Sequence, residues 1–459
     1  MIQTSAIFLF LNYCLGKKVD MSMVVAKIDW RQLYNFASRQ ALLGFCFDGI
    51  ERLTKEFSEE LKQNPMGRDL LMTWMGAAQQ IRRQNMKVNA VAGKLYSKFR
   101  EDGLRCCILK GQGNALMYPN PYSRTPGDID VWVNASREDI TEYAKRHFNL
   151  EDDIRFHHLE TTMDGVPVEL HFFPCSMNNP LYHARLQKWF KRNADLQCSN
   201  VVSVPDGIGE IAIPTTAFNV IYQLTHLYHH FFDEGIGMRQ IIDYFLVVNN
   251  FSKNVFLDTD FSNQPVNFSN HPVPLSKEGS TFSPSPSSSG SGDVTAPSRC
   301  SEPLRSKDGG PSKVSPDCAG WDRLSIEGDN SAGSATAVTS SASTALVVVQ
   351  RELKYLGLWK FAGAVMYVLH EALGLSEEKM IAPMDEKRGK LLLEEILNGG
   401  NFGKHFTKYG HFTQQGIAKK YFLKIWRNMH FVRYYPAEAL SEPIFRTWHF
   451  FFWRMKNKK

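Results

Sequence analysis

The sequence predicts an α+β protein. Three observations carry this: helical spacing of apolar residues over roughly the first hundred positions, short apolar runs of strand character between 101 and 214, and a return to helical spacing beyond 214. In the first region, positions 28–53 place Leu33, Phe36, Ala37, Ala41 and Leu42 at helical spacing. Positions 70–99 repeat the pattern with Gln, Arg and Lys on the polar face. The period then changes. Cys106-Cys107-Ile108-Leu109 reads as a buried strand entering the glycine turn Lys110-Gly111-Gln112-Gly113. Positions 128–133 form a second strand and 137–148 a helix. Asp164-Gly165, between strand-like runs at 155–163 and 166–172, is the usual two-residue hairpin signal. Runs at 201–204 and 210–213 are expected to add edge strands. Helices are expected at 215–232, 238–248, 346–375, 390–397 and 417–434.

Six regions follow from this reading. Residues 1–26 are expected to be a non-structural N-terminal extension. Positions 2–16 are fairly apolar, but no basic segment precedes them, no small-residue cleavage site follows, and the run is too short to span a bilayer. Met21 and Met23 lie just downstream, which suggests an upstream start codon. Residues 27–100 form an N-terminal helical region, 101–214 an α+β core, and 215–250 helices packing on that core. Residues 251–344 collapse in composition to Ser, Pro, Gly, Asn and Asp, with 281–292 almost pure Ser/Pro/Gly. Such a stretch cannot bury enough apolar surface to offset its chain entropy, so a disordered insertion is expected. Residues 345–459 form a C-terminal helical region, whose basic and aromatic tail reads as an amphipathic helix end with snorkelling cations.

Composition narrows the function. A formal charge of +6 over 459 residues permits an anionic ligand but does not argue for wholesale nucleic-acid coating. The eight cysteines contain no CxxC pair, which argues against a zinc ribbon and suits a reducing cytoplasm. No charge-free run reaches transmembrane length, so the expected location is cytoplasmic. No obligate partner is evident.

The chemistry concentrates in Gly127-Asp128-Ile129-Asp130-Val131-Trp132-Val133. On a strand, residues two apart share a face, so Asp128 and Asp130 project together and Ile129, Val131 and Val133 turn to the apolar side. Paired carboxylates repel unless a divalent cation compensates them, and oxygen-only ligands suit Mg²⁺. In Val166-Pro167-Val168-Glu169-Leu170-His171 the same alternation puts Glu169 and His171 on one face, making Glu169 the natural third carboxylate. The turn at Lys110-Gly111-Gln112 could present backbone N–H groups to phosphates if a helix starts after it. It matches neither a Walker loop nor GxGxxG. Lys110, Arg124 and His171 are candidates for phosphate contact, each with an ordinary surface or packing role as the alternative. Arg239 and Asp243 stand one helical turn apart, either as an ion pair or with Arg239 reaching a ligand cleft. His226, His229 and His230 share one helix and read as packing or cleft-capping residues.

Leu109-Lys110-Gly111, Tyr118-Pro119, Arg124, the Gly127–Val133 block, Val168-Glu169-Leu170-His171, Asp29-Trp30 and the 237–243 block together resemble the uncharacterised nucleotidyltransferase family of bacteria. That family lies within the DNA polymerase β-like nucleotidyltransferase superfamily. The resemblance implies an α+β core with a small mixed sheet, flanked here by helical regions. It implies Mg²⁺ (or Mn²⁺) on Asp128 and Asp130, with Glu169 as the third carboxylate. The implied reaction moves a nucleoside monophosphate from an NTP to an acceptor hydroxyl and releases pyrophosphate. The acceptor, whether small molecule, protein or nucleic acid, is not indicated. The family's Gly-Ser turn is Gly111-Gln112 here, and the interval from Gly111 to Asp128 is longer than the common pattern. Two other readings remain at this point. Asp128-Ile129-Asp130 is also a DxD signature for a glycosyltransferase using a nucleotide sugar, and a catalytically degenerate binding protein on the same fold is the third.

Overall fold

The computed structural model describes residues 2–148, 150, 154–256, 335–405 and 417–456. The chain divides into two compact units. One comprises Met1–Ser262 and Ala335–Lys459; the other, Asn263–Ser334, lies outside the described residues. The expectation of a disordered insertion therefore falls mostly outside them too.

The first unit opens with helices α1 (Ile2–Cys14), α2 (Ser22–Val25), α3 (Trp30–Arg39), α4 (Leu43–Glu56), α5 (Ser58–Gln63) and α6 (Arg68–Glu101). The expected non-structural extension is instead a helix: Phe10, Leu11 and Tyr13 of α1 are fully buried. Asn12 Nδ2 donates to the Ala372 carbonyl at 3.1 Å, and Lys17 Nζ to that of Gly374 at 2.9 Å. The apolar residues of α1 are spread around the helix, with Leu9 exposed, and form no single apolar stripe, which is why periodicity missed it. The single helical pattern read over 28–53 is two helices. Ala41, at φ 56°, breaks it, and the Asp29 side chain caps α3 by accepting the Gln32 N–H at 3.0 Å.

The α+β core follows, with β1 (Cys106–Leu109), α7 (Gly111–Ala115), β2 (Ile129–Val133), α8 (Arg137–His147), β3 (His158–Met163) and β4 (Val166–His171). The four strands form one mixed sheet in the order β1-β2-β4-β3. β1 is antiparallel to β2, β2 parallel to β4, and β4 antiparallel to β3 through the Asp164-Gly165 turn. Both turn residues have positive φ, 51° and 71°, as a two-residue hairpin of this sequence requires.

Helix α9 (Pro180–Ser199), which sequence reading missed, then leads to β5 (Val201–Val204) and β6 (Gly209–Ala212). These two strands pair with each other in a separate two-stranded sheet and do not extend the main one as expected. Ile211 is buried in the cluster that also holds Val91, Ala92 and Leu95 of α6, so the hairpin docks on a helix. Helices α10 (Thr216–Asp233) and α11 (Met238–Phe256) follow, then α12 (Ala335–Tyr355), α13 (Trp359–Leu373), α14 (Glu386–Gly399), α15 (Ile417–Met429) and α16 (Pro436–Lys456). The pattern read as one helix over 346–375 is broken at Gly357, whose φ of 74° ends α12. α11 and α12 both run into the region expected to be disordered, to Phe256 and from Ala335.

The sheet has two unlike faces. Ile108, Ile129, Val131, Val168 and Leu170 belong to a core cluster with Val88, Leu95 and Phe99 of α6 and Ile140 and Ala144 of α8. Leu109 and Trp132 turn the other way and join the second cluster with α9, α10 and α11. There the Trp132 ring stacks on Phe218, centroids 6.0 Å apart, and Phe218 on Trp189 at 4.5 Å. Asp130, Glu169 and His171 occupy positions of this second face.

Candidate active site

Register brings the acidic residues together. In the parallel β2–β4 pair, Asp130 is directly opposite Glu169, and Trp132 opposite His171. Across the antiparallel β1–β2 pair, Asp130 faces Leu109, so the residue after β1 arrives beside it. That residue is Lys110, held at φ 51° with Gly111 at φ 29°. A lysine in this region costs about 1–3 kcal/mol and persists only where its surroundings over-determine it. Here they do: Lys110 Nζ lies 3.0 Å from Asp130 Oδ1 and 2.8 Å from His226 Nε2 on α10.

Asp128 sits just before β2, at the end of a clamped loop. Asn85 of α6 donates from Nδ2 to the carbonyls of Tyr122 and Arg124, both at 2.7 Å. Thr125 Oγ1 donates to the Ala41 carbonyl at 2.7 Å. Arg124 is buried and forked onto Asp243 of α11, Nε to Oδ1 at 2.9 Å and Nη2 to Oδ2 at 2.8 Å. The Tyr118 hydroxyl also donates to Asp243 Oδ1, at 2.7 Å.

Asp128 and Asp130 line one cleft together with Lys110, Gly111, His226, Arg239 and Phe402. The Asp130 carboxylate beside it, aided by burial, pushes the Asp128 carboxyl up to about 6. Burial works against the Asp130 charge too, but Lys110 and His171 outweigh it and hold that carboxyl well below the usual range. His171 Nε2 lies 3.0 Å from Asp130 Oδ1 and 3.2 Å from Glu169 Oε2. Burial opposes its proton, yet these two carboxylates raise its pKa to about 9. Burial opposes the Glu169 charge as well, and the hydrogen bond to His171 still holds its carboxyl below the ordinary value. Among the described residues, Asp130, Glu169 and His171 bring one ligand-capable atom each within 4.8 Å of one another, whereas Asp128 stands outside that group.

Four expectations need correction. Arg124 is not free for phosphate, because both oxygens of Asp243 take its guanidinium. For the same reason Asp243 is not the partner of Arg239 in a hydrogen-bonded pair; Arg239 Nη1 donates to the Thr125 carbonyl at 3.0 Å and the side chain lines the cleft. Gln112 is buried and donates to Asn89 Oδ1 of α6, away from the cleft. His171, 3% exposed, spends Nε2 on the two carboxylates and not on phosphate. Sequence reading also missed Phe402, between α14 and α15, whose ring lies 5.6 Å from the Arg239 guanidinium. Its φ of 54° is a tertiary feature with no signal in the sequence.

An α+β core whose small mixed sheet carries paired acidic residues beside a cationic turn defines the class. Residues 26–262, slightly more than half of the chain, match the profile of the family described as uncharacterised nucleotidyltransferase. The chain belongs to that family. No curated protein and no solved structure matches it.

Proposed function

We propose that this protein is a Mg²⁺-dependent nucleotidyltransferase, moving a nucleoside monophosphate from an NTP to an acceptor hydroxyl with release of pyrophosphate. The observation that carries the reading is the pairing of Asp130 with Glu169 across β2–β4, with Asp128 in the adjoining cleft. The donor set fits a hard divalent cation. Its atoms are carboxylate oxygens, and Asp128 and Asp130 crowd one another enough to displace the Asp128 titration upward. Asp128, Asp130 and Glu169 would hold the metal. When bound, it would neutralise charge on the attacking and leaving oxygens of the phosphoryl transfer.

The chain's own groups divide the remaining work. Lys110 and Arg239, both lining the cleft, supply positive charge to the triphosphate. His171 fixes the orientation of the Asp130 and Glu169 carboxylates by a shared hydrogen-bonding nitrogen. His226 braces Lys110 from α10. Arg124, locked to Asp243, carries the loop that delivers Asp128 and is a strut for it.

The DxD glycosyltransferase reading is disfavoured by the sheet. Before β2 the described residues contain mainly helices and one strand, and the main sheet has a single parallel pair. Incubation with each α-³²P-labelled NTP plus Mg²⁺ or Mn²⁺ and a cell lysate tests the proposal. Label transferred to an acceptor by the wild type, and not by Asp130→Asn, supports it. Turnover of nucleotide sugars alone, or no metal-dependent NTP binding by calorimetry, would overturn it.

A further inference from the structure

Behind the carboxylates lies a group of histidines of which nucleotidyl transfer uses His171 alone, to orient Asp130 and Glu169. His158 and His171 are cross-strand partners on β3 and β4, and His157 precedes β3. Their rings are in mutual contact: centroids are 4.3 Å apart for His157–His158, 5.2 Å for His158–His171 and 5.5 Å for His157–His171. One nitrogen from each ring comes within 4.8 Å of the other two.

Polar groups packed like this are ordinarily satisfied by hydrogen bonds. Here Nδ1 of His171 is buried with no hydrogen-bond partner, and the His158 ring makes none either, its Nδ1 standing 3.4 Å from Glu169 Oε2 and its Nε2 3.5 Å from Glu160 Oε1; both histidines are 3% exposed. His171 is engaged on its other side, where Nε2 meets Asp130 and Glu169. A histidine whose one nitrogen is held by carboxylates while the other stands open is the arrangement in which imidazole commonly ligates a metal, since the carboxylate fixes the ring and raises its basicity.

We infer that His157, His158 and His171 form a second metal site, for a borderline transition-metal cation of the zinc(II) class. Three imidazole nitrogens suit such an ion and are poor ligands for Mg²⁺, which demands oxygen. With three protein ligands the ion keeps at least one coordination position open. Binding displaces the Nδ1 proton of His171 to solvent. The site adjoins the carboxylate pair through the His171 ring but does not depend on the nucleotidyltransferase reading, because its ligand is the metal alone.

The test is Co²⁺ titration of the full-length, chelator-treated protein without nucleotide, read by visible d–d absorption and by metal-to-protein ratio. The wild type is expected to bring this absorption to saturation at one equivalent of histidine-bound ion, apart from any held by carboxylate oxygens alone. His157→Ala/His158→Gln is expected to lose that absorption, binding at least about 100-fold more weakly at this site. Circular dichroism establishes that each variant is folded. If the double variant does not fold, the single His157→Asn and His158→Gln variants decide the matter by the same loss. The inference is overturned if the wild type takes up no Co²⁺. It is equally overturned if that absorption survives in the folded histidine variants.

Discussion

Asp130 and Glu169 stand directly opposite each other in the parallel pair of β2 and β4, and the His171 ring nitrogen lies within 3.2 Å of both carboxylates. The two acids come from segments separated by a helix and a hairpin strand. Their meeting is a matter of strand pairing, not of spacing along the chain.

Removing a single carboxylate at this junction is expected to stop transfer without unfolding the protein. For Asp128→Asn, Asp130→Asn and Glu169→Gln, kcat should fall on the order of 10³-fold or more, because charge compensation at the reacting phosphate depends on them. Single-turnover kinetics alongside circular dichroism checks this. A folded Asp130→Asn with wild-type transfer would remove the acidic cluster from the mechanism.

The Arg124–Asp243 pair should be a stability element. Both side chains are about 5% exposed and joined by two hydrogen bonds. Truncating either one leaves an uncompensated buried charge, so Arg124→Ala or Asp243→Ala is expected to cost about 3–5 kcal/mol. Replacing both by Met and Leu should recover much of that loss. Urea denaturation of the two singles and the double closes the cycle; additive losses would show that the two do not act as a pair.

Gly237 is expected to tolerate no side chain. A Cβ there would meet the Asn401 Cα at 2.7 Å and its backbone nitrogen at 2.9 Å. Gly237→Ala must therefore push away the segment carrying Phe402, beside Arg239 in the cleft. A loss of about 1–3 kcal/mol is expected, together with a raised KM for NTP. Thermal denaturation and steady-state kinetics measure the two effects, and an unchanged melting temperature would contradict the close approach.

His183 should make the fold sensitive to acid. Burial, with a smaller contribution from His229, lowers its pKa from 6.5 to about 4, and its Nδ1 accepts the Met177 N–H at 3.3 Å. A histidine depressed on folding stabilises the native state above its unfolded value. That contribution is in full force above pH 6.5 and fades as pH falls through about 4. Unfolding free energies of wild type and His183→Gln should therefore converge as the pH is lowered across that window. A difference that stays constant would rule out His183 as the titrating group.

Much of the site was legible because strand periodicity is local. Alternation alone assigns Ile129, Val131 and Val133 to one face and Asp130 to the other, and does the same for Val168 and Leu170 against Glu169 and His171. The Asp164-Gly165 turn was legible for a similar reason, since the left-handed conformations of a tight hairpin restrict which residues can occupy it. Arg124 was misread because nothing in its neighbourhood announces Asp243, 119 positions away. Gln112 was misread in the same way, its partner Asn89 lying on the preceding helix. Helix α1 escaped because its apolar residues are not confined to one side, Leu9 being exposed while Phe10, Leu11 and Tyr13 are buried, so it shows no stripe by which a helix is recognised.

The sequence by itself determined which strand side chains share a face, where the tight Asp164-Gly165 hairpin turns, and most of the segments that become helix or strand, though not α1, α9 or the helix breaks at Ala41 and Gly357, because these depend on residue periods of 2 and 3.6 and on local backbone sterics. The tertiary structure alone decided that β4 pairs with β2 in parallel, that Lys110 is held against Asp130 and His226, and that Arg124 is spent on Asp243. These are choices among distant partners, set by how burial and polar satisfaction are met together across the whole core, and no local pattern encodes them.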